Sequence, residues 1–337
     1  MEDDARPGTE TTEQEAADRG RQLRRSLISL AILGVLIVAL LFAVPGLNGV
    51  EKLMRQADPW WLAAAVLLEV ASCLGYVLVV QLVFARAPLR FAARLALAEL
   101  AFGAAVSLGG AGSIALGAWV LHAVGVPTKR IVERSAVLFL LTSAANAIVL
   151  VVFGVGLWLG LEGTGDPLLS ILPAAAGVAI LLGCLALPRW VDRHHDEARS
   201  GRLAGTVAGL ADGIRTTRTM LVTPNWRLLG AYAYLLCDIA VLWACFKALG
   251  YDIPIAPLVL AYQIGYLANI IPIPGGIGVL DTGLVAMLVL YGAPATTAAA
   301  AVLLYHAIVL WIPSLWGTVA YALLRRQMRH PILPRTP

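Results

Sequence analysis

The sequence predicts an all-α polytopic membrane protein with two inverted repeats, each of three spanning helices plus a re-entrant broken helical hairpin. The first observation is composition: 59% of the residues are hydrophobic and 14% are charged, with a mean hydropathy of +0.80. Soluble domains carry about a quarter of charged residues. The second observation is a series of apolar runs of roughly 20 residues, the length that crosses a bilayer core. The third is a glycine motif that occurs once in each half of the chain.

The N-terminal part is acidic and polar, and we predict that residues 1–22 form a disordered cytoplasmic tail. The first transmembrane repeat follows at 26–160. Its three spans are predicted at about 26–44, 60–84 and 135–159.

Two shorter apolar runs, 95–107 and 112–124, separate the second and third of these spans. Each has 13 residues, or about 20 Å of helix, which is shorter than the roughly 30 Å of the hydrocarbon core. We therefore expect the arms of a re-entrant hairpin here. Glu99 lies about one turn into the first arm, where it is expected to reach interfacial water.

The second repeat is predicted at 168–324, and it contains a cytoplasmic amphipathic linker at 190–224. In that linker, four apolar residues share one helix face: Leu203, Val207, Leu210 and Ile214. The spans and arms of this repeat are predicted at about 168–187, 228–249, 255–271, 277–291 and 296–324. A second cytoplasmic tail, 325–337, ends the chain.

Basic clusters predict the orientation, because cytoplasmic loops carry an excess of Lys and Arg. With both termini in the cytoplasm, the following clusters all lie inside: 19–25, 86–94, 129–134, 189–218 and 325–329. The loops that then lie outside contain neither Lys nor Arg: 161–167, 250–254 and 292–295.

The two halves repeat the same order of features. A span with one acid, Glu69 or Asp238, precedes a short helix, a Gly-Gly-x-Gly motif, a second short helix, Gly-x-Pro and a long span. Each half crosses the membrane an odd number of times, so the second copy is inverted relative to the first.

The glycine motifs carry the predicted substrate site. Prolines and glycines stop a helix, and the next helix begins with unpaired N–H groups that attract an anion such as a lipid phosphate. The alternative is a purely structural break that packs small residues. The predicted substrate-binding residues are Gly109, Gly110, Gly112, Ser113, Pro272, Pro274, Gly275, Gly276, Gly278 and Asp281. Because a carboxylate offsets that attraction, Asp281 is expected to act in proton coupling or amine recognition.

Polar residues inside the predicted spans form a second group, since such residues are costly in lipid and face the interior or a cavity. The alternative role is interhelical hydrogen bonding. This group contains Glu69, Asp238, Asn146, Tyr262, Tyr266, Asn269 and His306. Tyr262, Tyr266 and Asn269 lie at i, i+4 and i+7, so they share one helix face.

The run from Ile271 to Asp281, followed by Leu304-Tyr305-His306 and Trp311-Ile312-Pro313, resembles the second-half signature of the flippase-like integral membrane family. This is the transmembrane region of lysylphosphatidylglycerol synthases and of stand-alone relatives. Gly109 to Gly112 and 141–146 resemble its first half, and the similarity covers about 26–324. Two positions depart from the family pattern: Asp281 stands where Glu is frequent, and His306 where Arg is frequent.

The resemblance implies that the protein moves a phospholipid or polyprenyl-phosphate-linked lipid between leaflets by alternating access, in the bacterial cytoplasmic membrane. It does not imply aminoacyl transfer, which belongs to a separate soluble domain in the synthases. We expect no catalytic constellation, cofactor, metal or nucleic-acid partner, whereas an envelope glycosyltransferase or lipid synthase is an expected partner. An intramembrane lipid-phosphate transferase and a non-transporting scaffold for envelope lipid enzymes are the alternatives.

Overall fold

The computed structural model describes residues 48–85, 87–105, 111–162, 166–194, 204–223, 225–266 and 279–329. Within these ranges the chain is helical and contains no strand. The helices are α1 (Asn48–Arg55), α2 (Pro59–Val83), α3 (Leu89–Ala105), α4 (Ala111–Ala123), α5 (Thr128–Trp158), α6 (Pro167–His194), α7 (Ala204–Val222), α8 (Leu229–Ala248), α9 (Ile255–Tyr266), α10 (Val279–Leu290) and α11 (Ala295–Arg329). A 3-10 turn, Trp226–Leu228, precedes α8. The contacts described below lie within the compact unit Leu53–Pro337.

Four predicted spans are confirmed as helices that are long and apolar enough to cross a membrane: Pro59–Val83, Thr128–Trp158, Trp226–Ala248 and Ala295–Gln327. The chain is therefore a multi-pass membrane protein. The predicted span at 168–187 becomes α6, which continues to His194. The span predicted at 26–44 lies outside the described residues.

The arms around the first glycine motif fold back on each other. α3 has 17 residues, about 26 Å of helix at 1.5 Å per residue, and it starts at Leu89 rather than at the predicted residue 95. Gly103 lies against Ser113, since a Cβ atom on this glycine would stand 2.1 Å from the Ser113 Oγ. Glu99 lies in the same way against Gly117 of α4, so α3 and α4 run antiparallel.

The second pair of arms, α9 and α10, has 12 residues in each helix. A Cβ atom on Gly265 of α9 would stand 2.8 Å from the Cα atom of Leu284 in α10. The absence of a side chain at residue 265 therefore lets the two backbones touch.

The helices that follow both glycine motifs end in the same way. Gly125 and Gly292 have left-handed φ angles of 86° and 99°. The next residue donates its N–H to a carbonyl five residues earlier, Val126 to Leu121 and Ala293 to Leu288. This pattern is the Schellman motif, which favours glycine because a Cβ atom opposes positive φ.

The centre of the molecule is an antiparallel contact between α2 and α8. Their glycines allow it, because a Cβ on Gly75 would stand 2.9 Å from the Gly230 oxygen and a Cβ on Gly230 would stand 2.8 Å from the Gly75 oxygen. Farther along, the Trp61 and Trp243 rings meet edge to face with centroids 5.2 Å apart. At the end of the contact, the Asp58 N–H donates to the Ala248 oxygen at 2.8 Å.

The first arm of each half packs against the last span of the other half. Gly317 of α11 faces the Leu97 oxygen of α3, and Arg94 donates to Gln327 at 2.9 Å farther along the same antiparallel pair. The reciprocal contact joins α9 of the second half to α5 of the first half, where Gln263 donates to the Asn146 backbone oxygen at 3.4 Å. Leu260 of α9 also belongs to an apolar cluster with residues near the end of α5.

The linker forms the helix α7, which packs on the beginning of α5. Ile214 and Thr217 are buried, and Thr216 donates to Glu133 at 3.2 Å. Lys129 lies 2.8 Å from Asp212, and its hydrogen bond lowers the pKa of the Asp212 carboxyl, helped by their opposite charges. Ile214, which lies on the predicted apolar face of this helix, therefore packs against the protein.

Candidate functional site

Asp238 is the centre of a hydrogen-bonded cluster between α8, α9 and α11. Tyr262 donates its hydroxyl to Asp238 Oδ2. The Tyr305 hydroxyl lies 3.2 Å from Oδ1 and 3.1 Å from Oδ2, and the two tyrosine hydroxyls are 3.2 Å apart. Both tyrosines are buried, with 3% and 1% of their surfaces exposed. The carboxyl group is thus held by hydroxyl donors inside the protein.

Glu69 of α2 faces this cluster from the first half of the chain. Ser72 donates to the Tyr234 oxygen at 2.9 Å, and because α2 and α8 run antiparallel, Glu69 and Asp238 both lie about one turn beyond that contact in the same direction. The two carboxyl groups interact electrostatically. Glu69 is 3% exposed.

The hydrogen bonding of Glu69 is incomplete. Its Oε1 accepts from the Cys73 thiol at 3.6 Å, a long and weak contact. Its Oε2 is buried and has no hydrogen-bond partner in the described part of the chain. An unsatisfied carboxyl oxygen away from water is costly, so a proton or a ligand group that binds here is favoured.

Aromatic rings extend the cluster in two directions. The Tyr262 and Tyr266 rings stack with centroids 5.2 Å apart, and Tyr266 is 38% exposed. On the other side, Tyr305 and His306 meet at right angles with ring centroids 5.9 Å apart. The His306 imidazole interacts electrostatically with Asp238.

Five of the predicted intramembrane polar residues therefore lie together: Glu69, Asp238, Tyr262, Tyr266 and His306. The other predicted residues lie apart from this cluster or outside the residues that the structure describes. Asn146 donates to the Thr142 oxygen of its own helix at 2.9 Å, and Ser113 lies in the α3–α4 contact. Gly112 is buried in α4.

The residues of the two glycine motifs fall mainly outside the described residues. The following predicted residues lie there: Gly109, Gly110, Asn269, Pro272, Pro274, Gly275, Gly276 and Gly278. Asp281 lies in α10, and its side chain is not described. Their predicted role in substrate binding stays a prediction.

Two further polar contacts were missed by the sequence reasoning. Tyr305 was not assigned to the site, although its position beside His306 in a predicted span was a signal for it. Glu99 was expected to reach interfacial water, but it is 6% exposed and its Oε2 accepts from the Tyr76 hydroxyl at 2.9 Å. The reason is the early start of α3, which places Glu99 in the third turn of its helix instead of the first.

The chemistry that this arrangement supports is proton or cation binding. Two interacting carboxyl groups lie in an apolar interior, while Lys129, Arg215 and Lys247 form ion pairs with Asp212 and Asp252 elsewhere. A proton or the ammonium group of a ligand neutralises such a pair. The described residues contain no group of three or more His, Cys, Asp or Glu side chains that could hold a metal ion.

Comparison with protein families gives a match over most of the chain. The family described as the lysylphosphatidylglycerol synthase TM region matches residues 27–317. No curated protein matches the chain.

Proposed function

Because the chain belongs to the lysylphosphatidylglycerol synthase transmembrane family, we propose that it is a lipid flippase-like transporter. It moves a phospholipid or a polyprenyl-phosphate-linked lipid between leaflets. One observation carries the proposal: the buried Glu69 and the half-buried Asp238, from different halves of the chain, lie on facing helices about one turn beyond the Ser72–Tyr234 contact. A charge buried at membrane depth is expensive. A transport role for the pair accounts for that cost, since helix packing alone does not need a carboxyl group.

Alternating access is the proposed mechanism. Elements of one half pack against elements of the other half in three places: α2 against α8, α3 against α11, and α5 against α9. Such reciprocal packing is expected of two inverted repeats that rock about a site between them. Glu69 belongs to one half, and Asp238, Tyr262 and Tyr305 belong to the other. A rotation of one half against the other would therefore change the distance between the two carboxyl groups.

The glycine motifs are the proposed site for the lipid phosphate. α4 begins at Ala111, within the first motif, and α10 begins at Val279, directly after the second, so their N–H groups and dipoles favour an anion there. The carboxyl pair would then meet the cationic part of the head group or a coupled proton. Asp281 is proposed to act in proton coupling or amine recognition.

The proposed location is the bacterial cytoplasmic membrane, with both termini in the cytoplasm. In that orientation the α5–α7 contact, with its ion pair between Lys129 and Asp212, lies at the cytoplasmic surface. Membrane lipids are the proposed substrates, and an envelope glycosyltransferase or lipid synthase would supply or use them.

A liposome assay tests the function. The purified full-length chain is reconstituted with a fluorescent phospholipid, and a membrane-impermeant quencher measures the fraction in the outer leaflet over time. We expect wild-type protein to move the lipid without changing it chemically. Glu69→Gln and Asp238→Asn should each slow the movement about tenfold or more, which corresponds to about 1.4 kcal/mol in a barrier.

Asp252→Asn is the matched control, because Asp252 is exposed and pairs with Lys247 outside the cluster. This variant should move lipid at the wild-type rate. Normal movement in both cluster variants would remove the carboxyl pair from the mechanism. Chemical conversion of the lipid would instead indicate the transferase, and stable protein without either activity would indicate the scaffold.

A further inference from the structure

The start of α9 is held by a carboxylate from the first half of the chain. α5 gives way to a turn in which Gly160 has a φ of 76°, and Glu162 follows in that turn. Its Oε2 accepts from the Ala256 N–H at 2.6 Å. The first N–H groups of a helix have no partner within that helix, so Glu162 satisfies one of them from another part of the chain. In the proposed orientation this contact lies at the outer face of the membrane.

The first half has the corresponding contact at the opposite face. Arg94, in the second turn of α3, donates to Gln327 Oε1 at the end of α11, at 2.9 Å. α3 and α9 are the first arms of their halves, and α5 and α11 are the last spans. Each contact therefore joins the beginning of a first arm to the end of the other half's last span. The basic clusters at 86–94 and 325–329 place the second contact at the cytoplasmic face in the proposed orientation.

A buried leucine lies beside each of these polar contacts. Leu157, near the end of α5, is 3% exposed and belongs to one apolar cluster with Ala256 and Leu260 of α9. Leu324, near the end of α11, is fully buried and belongs to one apolar cluster with Leu95 of α3. The two ends of the bundle are thus closed in the same way, by a hydrogen bond and an apolar layer whose partners come from different halves.

We propose that these two contacts are the gates of the transporter, with the Glu162–Ala256 gate at the outer face and the Arg94–Gln327 gate at the cytoplasmic face. This inference rests on the proposed function and adds the places where the bundle opens. Rocking of one half against the other separates α9 from α5 at the outer face, or α3 from α11 at the cytoplasmic face. A lipid head group then enters from one side at a time. Both contacts are formed in this structure, which therefore corresponds to the state with neither face open.

The two gates are coupled because they share one rocking motion. The outer gate is closed when neither face is open, and also when only the cytoplasmic face is open. Loss of its hydrogen bond destabilises both of these states and leaves the outward-open state unaffected. The share of molecules open to the outside should therefore rise while the share open to the cytoplasm falls. Loss of the cytoplasmic gate should have the reverse effect.

Cysteine labelling of the full-length protein in nanodiscs tests the gates, because a water-soluble maleimide then reaches both faces. Leu260→Cys reports on the outer gate and Leu95→Cys on the cytoplasmic gate, since both leucines are fully buried beside them. Peptide mass spectrometry separates these positions from the native cysteines. Glu162→Ala should raise the labelling rate at position 260 at least fivefold and lower the rate at position 95. Gln327→Ala should raise the rate at position 95 and lower it at position 260.

Two variants control for a general loosening of the outer face. Tyr291→Phe removes a hydrogen bond there, in which the Tyr291 hydroxyl donates to the Leu169 oxygen at 2.7 Å. Both residues belong to the second half, so this variant should leave both labelling rates unchanged. Glu162→Gln keeps an oxygen that can accept from Ala256, and its labelling rates should stay within twofold of wild type. Thermal unfolding of every variant checks that it is folded.

Opposite changes at the two reporter positions are the required result. A rise at both positions in Glu162→Ala, a rise at neither, or an equal rise in Tyr291→Phe overturns the gates. The liposome assay described above decides lipid transport separately. Wild-type lipid movement without opposite changes at positions 260 and 95 leaves the transporter intact and removes these gates. Opposite changes in a protein that moves no lipid uphold the two gates and overturn lipid transport.

Discussion

Gly75→Ala should weaken the central contact between α2 and α8. The new Cβ atom would stand 2.5 Å from the Tyr234 nitrogen and 2.9 Å from the Gly230 oxygen, where ordinary contact begins at 3.4 Å. Both neighbours are backbone atoms of α8, so no side chain can rotate away. Relief of the clash requires the two helices to separate by about 1 Å in an interior packed as densely as a crystal.

The magnitude follows from two opposing effects. Overpacking of this kind destabilises a protein by about 1–3 kcal/mol, whereas replacing a helical glycine with alanine stabilises the helix by up to about 1 kcal/mol. We therefore expect a net loss of about 1–2 kcal/mol in the free energy of unfolding. Because the contact also positions Glu69 against Asp238, lipid movement should slow in the same variant.

Thermal unfolding in detergent measures this effect, with Gly183→Ala as the matched control. Gly183 is an exposed glycine of α6, and a Cβ atom added to it would have no neighbour within 4 Å, so its substitution should leave the unfolding temperature unchanged or raise it. Adding Gly230→Ala to Gly75→Ala should cost less than Gly230→Ala alone, because the helices are already apart. An unfolding temperature of Gly75→Ala equal to that of Gly183→Ala would refute the reasoning.

Three further predictions concern single side chains. Tyr305→Phe removes the hydroxyl that bonds to Asp238 and should lower the free energy of unfolding by about 1 kcal/mol, as for other interhelical hydrogen bonds in membranes; unchanged unfolding in detergent would argue against that bond. Asp212→Asn tests the Lys129 pair: the lowered pKa of Asp212 means that the pair stabilises the protein above the unfolded-state pKa of about 3.9 and loses this effect as the pH falls through the folded-state pKa. The stabilisation from this pair, which solvent keeps below about 1 kcal/mol, should therefore shrink as the pH falls below about 4; a difference in unfolding temperature between wild type and variant that grows on acidification would contradict the assignment. Asp281→Asn should slow lipid movement without changing the unfolding temperature, and full activity would exclude that carboxyl from transport.

Much of the helical framework was predictable from the sequence. The apolar runs predicted the four long spanning helices because their length must match the bilayer. The two Gly-x-Pro turns were visible as a repeat, and both end a helix with glycine in the left-handed conformation. The start of α3 was not predictable from hydropathy, since 89–94 contains two arginines and reads as a loop. In the structure the Arg94 side chain is satisfied by Gln327 of α11.

The candidate site was predictable only as a set of separate residues. Glu69, Asp238, Tyr262, Tyr266 and His306 were each expected in the membrane interior, and the i, i+4 spacing of the tyrosines placed them on one face. Which carboxyl each hydroxyl reaches was not visible. Tyr262 and Tyr305 are far apart in the chain, and only packing of α9 and α11 against α8 brings both to Asp238.

Hydrophobic length and spacing are local properties, so they already indicate a set of apolar helices in a membrane, with acids at corresponding places in the two halves. Only helix packing brings Glu69 and Asp238 to one cluster and leaves Glu99 apart from it, bonded to Tyr76. The close approach of Gly75 and Gly230 fixes the antiparallel register of α2 and α8. A register between distant segments depends on how their surfaces fit, which hydropathy along one chain does not encode.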